Sequence, residues 1–116
     1  DSERPEAVSL IGDVRDRNAL IIDDEIASGG TMIAAADFLK RSGARRVEAA
    51  AVHPVMSGHA RDRLDESPIE RIVVTDTIPV APERLSHKVH SVSVAKLFAD
   101  AIYAIHHGES VSDLFR

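Results

Sequence analysis

The chain has 116 residues, of which 44% are hydrophobic and 28% charged, with a formal net charge of −5 and no cysteine. This length predicts one domain with a real core, and the negative charge disfavours non-specific binding to nucleic acid or to an anionic membrane surface. The lack of cysteine excludes disulfides and thiolate metal sites. No apolar run reaches the length of a membrane span and no stretch resembles a signal peptide, so we expect a cytoplasmic protein.

The beginning of the chain predicts two strands separated by a charged turn. A short strand is expected at residues 7–11, and residues 12–18 form the turn. A continuous apolar run then predicts a buried strand at residues 19–24, because strands covered on both faces do not alternate with polar residues. Aromatic residues make up only 3% of the chain, so the core that receives this strand should be aliphatic.

The next segment predicts a helix at residues 31–41, followed by a strand at residues 47–52. Apolar residues recur there at helical spacing, at Met32, Ala35, Ala36 and Leu39. Gly43 is placed to end the helix. Since two strands joined through a helix are usually parallel, this unit predicts an α/β fold with a mostly parallel sheet flanked by helices.

The second half of the chain continues the alternation of helices and strands. A short polar helix is expected at 59–66, and strands are expected at 72–75 and 89–92. A last helix is expected at 94–107, with one apolar stripe that should face the core, formed by Val94, Leu97, Phe98, Ala101, Ile102 and Ile105.

The stretch at residues 20–31, LIIDDEIASGGT, carries the strongest functional signal. The predicted strand ends in Asp23 and Asp24, which are unusual in a buried strand because ionised carboxylates avoid apolar surroundings. A turn of small residues follows and leads into the predicted helix, through Ala27, Ser28, Gly29, Gly30 and Thr31. The turn lacks both the P-loop pattern and the GxGxxG dinucleotide fingerprint.

The chemistry of this stretch predicts a site for a phosphorylated sugar. The N–H groups at a helix N-terminus attract anions, and glycines let a phosphate approach the main chain closely. Asp23 and Asp24 would repel the same phosphate, so we expect them to accept hydrogen bonds from sugar hydroxyls or to hold a divalent cation. His53, at the end of the next predicted strand, should lie at the same edge of the sheet.

Several segments together resemble one family. The stretch at 20–31 is similar to the phosphoribosyl-diphosphate motif of the type I phosphoribosyltransferase fold, and the segments 11–14, 51–58, 73–79 and 107–115 resemble ribose-phosphate pyrophosphokinases. The resemblance covers nearly the whole chain and implies that residues 1–116 form the C-terminal, phosphoribosyltransferase-like domain of such an enzyme.

The resemblance implies an activity and a set of ligands. The family transfers the diphosphate of ATP to ribose 5-phosphate with Mg²⁺, giving phosphoribosyl diphosphate and AMP, and its members form homo-oligomers. By this resemblance Asp23 and Asp24 face the ribose hydroxyls and can serve as ligands of Mg²⁺. The turn at residues 27–31 holds the 5-phosphate. His53 would lie in the vicinity of the nucleotide or diphosphate.

The sequence departs from the family pattern in the turn. Ala27 stands where the family usually has an acid, and Ser28 where it has threonine. The family's N-terminal domain and its Lys/Arg catalytic loop should precede Asp1, so we expect the isolated chain to have no synthetase activity. Two alternatives remain open, namely a non-catalytic regulatory or assembly module of the same fold and a nucleobase phosphoribosyltransferase.

Overall fold

Four parallel strands form the sheet in the computed structural model, which describes residues 10–116. The strands are β1 (Asn18–Ile26), β2 (Arg46–Pro54), β3 (Ile69–Thr75) and β4 (Val89–Val92). Their order across the sheet is the same as their order along the chain. The α/β class and the parallel sheet predicted from the sequence are therefore confirmed.

Three helices accompany the sheet in the described part of the chain, together with two short 3₁₀ segments. The helices are α1 (Gly30–Arg41), α2 (Ala60–Glu66) and α3 (Ala95–His106), and the 3₁₀ segments are Pro82–Arg84 and Val111–Phe115. Helix α1 ends where the sequence predicts, because Gly43 adopts a left-handed φ of 97° and its N–H donates to the carbonyl of Lys40 at 3.1 Å. Within residues 10–116, no helix is long and apolar enough to span a membrane.

The core lies between one face of the sheet and helices α1 and α2. Alternate strand residues point into it and are almost fully buried, among them Val47, Ala49, Ala51, Ile72 and Val74. The helices contribute Met32, Ala36, Ala60 and Leu64 from the other side. The expectation of an aliphatic core agrees with these residues. Burying a single leucine or isoleucine side chain contributes about 2 kcal/mol, so these contacts fix the position of α1 against β1 and β2.

Strands β1, β2 and β3 are longer than their apolar runs predict, whereas β4 has the predicted bounds. Strand β1 continues two residues past Asp24, because Glu25 and Ile26 pair with His53 and Pro54 of β2. The acids consequently lie inside the second half of the strand and not at its end. The strand expected at 7–11 falls mostly outside the described residues, and Leu10 and Ile11 at its described end are not in a strand.

The prediction that the apolar stripe of α3 faces the core is wrong. Phe98 is 56% exposed, Ile102 is 65% exposed and Ile105 is 69% exposed. Among the residues of α3, all of them described, Ala104 alone is buried. The helix packs mainly against the 3₁₀ segment Val111–Phe115 that follows it. Helical spacing therefore identified the apolar side of α3 correctly, but the described chain provides little to cover it.

Candidate functional site

The turn between β1 and α1 is held in place by the loop that follows β2. The N–H of Met56 donates to the carbonyl of Ile26 at 3.0 Å, and the N–H of Ser57 donates to the carbonyl of Ala27 at 2.9 Å. Gly29 then reverses the chain with a φ of 86°, in the left-handed region that suits glycine. The carbonyl groups at the base of the turn are thus committed to protein contacts.

The N–H groups at the start of α1 have few protein partners. The first hydrogen bond of the helix runs from the N–H of Ile33 to the carbonyl of Gly29 at 2.9 Å. The N–H of Gly30 makes only a long contact of 3.4 Å with Ser28 Oγ. Within residues 10–116, no protein acceptor pairs with the main-chain N–H groups of Ser28, Gly29, Thr31 and Met32. These unpaired donors and the helix dipole together favour an anion at this end of α1.

A cavity of about 170 Å³ lies against this turn. It is lined by the continuous stretch of residues 23–32, so the two acids and the glycine turn border the same space. All of the residues predicted to hold a sugar phosphate are in this lining, namely Asp23, Asp24, Ala27, Ser28, Gly29, Gly30 and Thr31. The lining thus contains both hydrogen-bond donors, the N–H groups of the turn, and carboxylate acceptors, which is what a phosphorylated polyol requires.

The two carboxylates interact with each other. The N–H of Asp24 donates to Asp23 Oδ1 at 2.7 Å. A hydrogen bond with the Asp23 side chain lowers the pKa of Asp24 below its ordinary value, and the main-chain N–H of Glu25 and the charge of His53 act in the same direction. Asp24 is therefore ionised at neutral pH and can accept hydrogen bonds or contact a cation.

The acids fit a magnesium ion only if a substrate supplies further oxygens. Within the described residues, no group of three or more His, Cys, Asp or Glu side chains is placed to hold a metal. Asp23 and Asp24 offer two neighbouring carboxylates at one cavity. Mg²⁺ is commonly bound by one or two carboxylates together with water and substrate phosphates, and this donor set meets that requirement.

His53 lies beside this cavity but is not part of its lining. It pairs with Glu25 across the sheet, and its Nδ1 is 2.8 Å from Thr77 Oγ1. The Thr77 hydroxyl donates to the carbonyl of Val52 at 3.3 Å, so Oγ1 is the acceptor for an Nδ1 proton. Nδ1 of His53 is thereby committed to a protein contact, and Nε2 is the ring nitrogen left for other partners.

Asp76, which directly follows β3, has structural contacts. Asp76 Oδ1 accepts the N–H of Val94 at 2.9 Å, and hydrogen bonds with Ser93 and Val94 lower the pKa of the Asp76 carboxyl. Asp76 thus joins the end of β3 to the start of α3.

The sequence analysis assigned no role to Met56 and Ser57, whose N–H groups fix the turn between β1 and α1. Both lie in the segment 51–58 that carries the family resemblance.

Comparison with known proteins gives a consistent result. Residues 2–116 match the family model described as the phosphoribosyl synthetase-associated domain. The chain is 47% identical to a ribose-phosphate pyrophosphokinase of Caldanaerobacter subterraneus subsp. tengcongensis and 42% identical to one of Shewanella oneidensis, each over 99% of the chain. The fold is similar to the crystal structure of phosphoribosylpyrophosphate synthetase from Mycobacterium smegmatis, with a TM-score of 0.81 and 34% identity over 84% of the chain.

These relatives are much longer than the chain. The matched region spans 38% of each of the two curated relatives and 33% of the Mycobacterium smegmatis protein. More than half of each relative therefore has no counterpart in these 116 residues.

Proposed function

The chain belongs to the phosphoribosyl synthetase-associated domain family, and we propose that it supplies the ribose 5-phosphate site of a ribose-phosphate pyrophosphokinase. Such an enzyme transfers the diphosphate of ATP to the anomeric hydroxyl of ribose 5-phosphate, giving phosphoribosyl diphosphate and AMP. The names of the curated relatives support this assignment. The chain spans 38% of the length of these relatives. The rest of the ATP site and the Lys/Arg side chains of the catalytic loop would therefore come from parts of such an enzyme that the 116 residues do not span.

The observation that carries the proposal is the set of unpaired N–H groups at the start of α1. The 5-phosphate would accept hydrogen bonds from the main chain at residues 28–32 and from the hydroxyl of Thr31. The cavity there borders Asp23 and Asp24, whose carboxylates would accept hydrogen bonds from the ribose hydroxyls. Charged hydrogen bonds of this kind contribute about 1.5–3 kcal/mol each, enough to orient a small ligand.

The role proposed for this chain in the reaction is to position the sugar. Diphosphoryl transfer depends on in-line positioning and on neutralising negative charge, and it does not require a covalent intermediate on the protein. Mg²⁺, when bound by Asp23 and Asp24 with the substrates, would neutralise charge on the transferred phosphates. His53 has Nε2 available near the acids and would contact the nucleotide or diphosphate. By family resemblance, the parent protein would be a cytoplasmic homo-oligomer.

A second function is favoured by one specific residue. Ala27 places a methyl group in the cavity lining where the family usually carries an acid, so the ribose has one polar contact fewer. This substitution is compatible with a regulatory or assembly module that binds ligand without turnover. Titrating the intact parent protein with ribose 5-phosphate and Mg-ATP separates the two functions, because the module would bind but release no AMP.

The site assignment is tested by calorimetric titration of the chain with ribose 5-phosphate and with ribose. We expect the phosphorylated sugar to bind more tightly, and we expect Gly30→Asp to weaken its binding at least about tenfold through repulsion of like charges. The position has room, since an added Cβ would be 3.6 Å from Ser28 Oγ and 4.0 Å from Arg63 Nη1. An acid in the first turn of a helix also suits the dipole, so the variant should fold.

The matched control is Gly58→Asp, which introduces the same charge at a glycine outside the cavity lining. Gly58 has nothing within 4 Å of an added Cβ, and aspartate tolerates its φ of 57°. If both variants and the unmodified chain bound ribose 5-phosphate with equal affinity, residues 27–31 would not form the phosphate site. No preference for ribose 5-phosphate over ribose would have the same consequence.

A further inference from the structure

The turn at residues 27–31 depends on a loop that lies outside the cavity lining. Met56 and Ser57 hold the turn through the carbonyls of Ile26 and Ala27, yet neither belongs to the lining. Main-chain N–H groups bind an anion well only when they are already fixed in place, because otherwise the ligand must supply the free energy that orders them. The contacts that fix this loop therefore bear directly on the affinity of the site.

The loop has an unusual backbone conformation at Met56. The φ of this residue is 53°, in the left-handed region that residues other than glycine seldom adopt. Such conformations persist where the surrounding structure holds them. The Met56 side chain is 1% exposed and belongs to the core cluster, and its N–H donates to the carbonyl of Ile26. A third contact, to the Met56 carbonyl, completes the restraint.

Arg84 supplies this third contact from a distant part of the chain. Its Nη2 donates to the carbonyl of Met56 at 2.8 Å, in a partly buried position and across 28 residues of sequence. A charged donor makes a stronger hydrogen bond than a neutral one. The contacts thus form a series in which Arg84 holds Met56, and Met56 holds Ile26 at the base of the turn.

The segment that carries Arg84 is itself well supported. Val80 and Leu85, on either side of the 3₁₀ segment Pro82–Arg84, are partly buried against the core. Nη1 of Arg61 in α2 donates to the carbonyl of Glu83 at 2.7 Å. The guanidinium of Arg84 therefore extends from a segment that the core and α2 hold in position, so it can restrain the loop.

We propose that Arg84 is a positioning residue for the anion-binding turn. It holds the Met56 carbonyl, and through Met56 and Ser57 it keeps the N–H groups at the start of α1 oriented for an oxyanion. Arg84 does not line the cavity, so it acts without contacting the sugar phosphate. It also lies outside the segments 51–58 and 73–79 that carry the family resemblance. Its effect on ligand affinity rests on the proposed function, whereas its effect on the loop does not.

Arg84→Met tests the proposal, because it removes the donor and keeps an unbranched side chain. Amide hydrogen exchange should become at least about tenfold faster at Met56 and Ser57, since the loop would open locally, and should change less than about twofold in strand β3. The dissociation constant for ribose 5-phosphate, measured by calorimetry, should rise about fivefold, because the ligand must then order the turn.

The matched control is Arg61→Met, which removes the same charge from a residue that lines one surface cavity with Arg84. Arg61 makes an exposed bond to the carbonyl of Glu83 and none to the loop. The control should leave the affinity, and the exchange rates at Met56 and Ser57, within about twofold of the unmodified chain.

Three results would overturn the proposal. The first is equal exchange rates at Met56 and Ser57 in the two arginine variants. The second is a uniform acceleration that includes β3, because Arg84 would then support only global stability. The third is faster exchange at the loop with unchanged affinity for ribose 5-phosphate. If the unmodified chain does not bind ribose 5-phosphate, the proposed function fails, and the exchange rates alone still decide whether Arg84 fixes the loop.

Discussion

At the scale of single residues, the two adjacent glycines of the turn have different tasks. Gly29 has a φ of 86°, and an added Cβ would be 3.7 Å from the side chain of Leu64. Gly30 is the first residue of α1 and lies outside the positive-φ region. The sequence pattern Gly-Gly alone does not distinguish the two positions, but the backbone does. Gly29 is required for the shape of the turn, whereas Gly30 is required for access to its N–H groups.

This difference gives a prediction for stability. Gly29→Ala should lower the free energy of unfolding by about 1–2 kcal/mol, because an L-residue is strained in the left-handed region. Gly30→Ala should raise the free energy of unfolding by about 0.5 kcal/mol, because alanine is the better helix former. Urea denaturation of both variants measures the two changes. Equal effects at the two positions would show that the left-handed turn is not formed.

How far the site could be predicted depends on whether the residues concerned are neighbours in sequence. Asp23, Asp24 and the glycine turn form one continuous stretch, and residues 23–32 line one cavity in the structure. The contribution of Met56 and Ser57 could not be predicted, because it arises from main-chain hydrogen bonds across the sheet and leaves no side-chain signature. The position of His53 beside the cavity, and not in it, depends equally on its contact with Thr77.

At the scale of elements, a lysine joins helix α2 to the start of β4. Lys88 Nζ donates to the carbonyls of Leu64 and Ser67, each at 2.9 Å, and thereby satisfies groups at the end of the helix. Ser86, which is 2% exposed, donates its hydroxyl proton to Asp65 Oδ1 in the same region. These bonds hold α2 against the sheet, with Leu64 placed so that a Cβ added at Gly29 would be 3.7 Å from its side chain.

Lys88→Met tests this connection. The substitution keeps most of the side chain but leaves the Ser67 carbonyl without its donor. The Leu64 carbonyl keeps the N–H and the hydroxyl of Ser67 as donors. We therefore expect a loss of about 1–2 kcal/mol in the free energy of unfolding. Lys40→Met is the control, since Lys40 makes one exposed bond of 3.1 Å to the carbonyl of Arg45. The control should change stability by less than about 0.5 kcal/mol. Similar values for both lysines, measured by urea denaturation, would contradict the account.

The sequence predicted the kind and order of the elements better than their ends and partners. Strand β4 has the predicted bounds, and α1 begins one residue earlier than expected. Strand β1 extends beyond Asp24 because pairing with His53 and Pro54 outweighs the local preference of acidic residues for a strand end. The apolar stripe of α3 predicted an amphipathic helix, but periodicity carries no information on which surface covers it.

At the scale of the whole molecule, helices cover one face of the sheet and leave much of the other exposed within the described residues. One face is packed by α1 and α2, and the other exposes Ile22 and its neighbours. The relatives place the same region within proteins more than twice as long. We therefore expect the isolated chain to bind a sugar phosphate without forming phosphoribosyl diphosphate.

The central claim is that main-chain N–H groups at the start of α1 hold the phosphate of a phosphorylated pentose. It is tested most directly by recording amide chemical shifts of the ¹⁵N-labelled chain during titration with ribose 5-phosphate. The account predicts that the largest changes occur at Ser28, Gly29, Thr31 and Met32, and that ribose at equal concentration does not reproduce them. Changes concentrated at the N-termini of α2 or α3, with residues 28–32 unaffected, would contradict it.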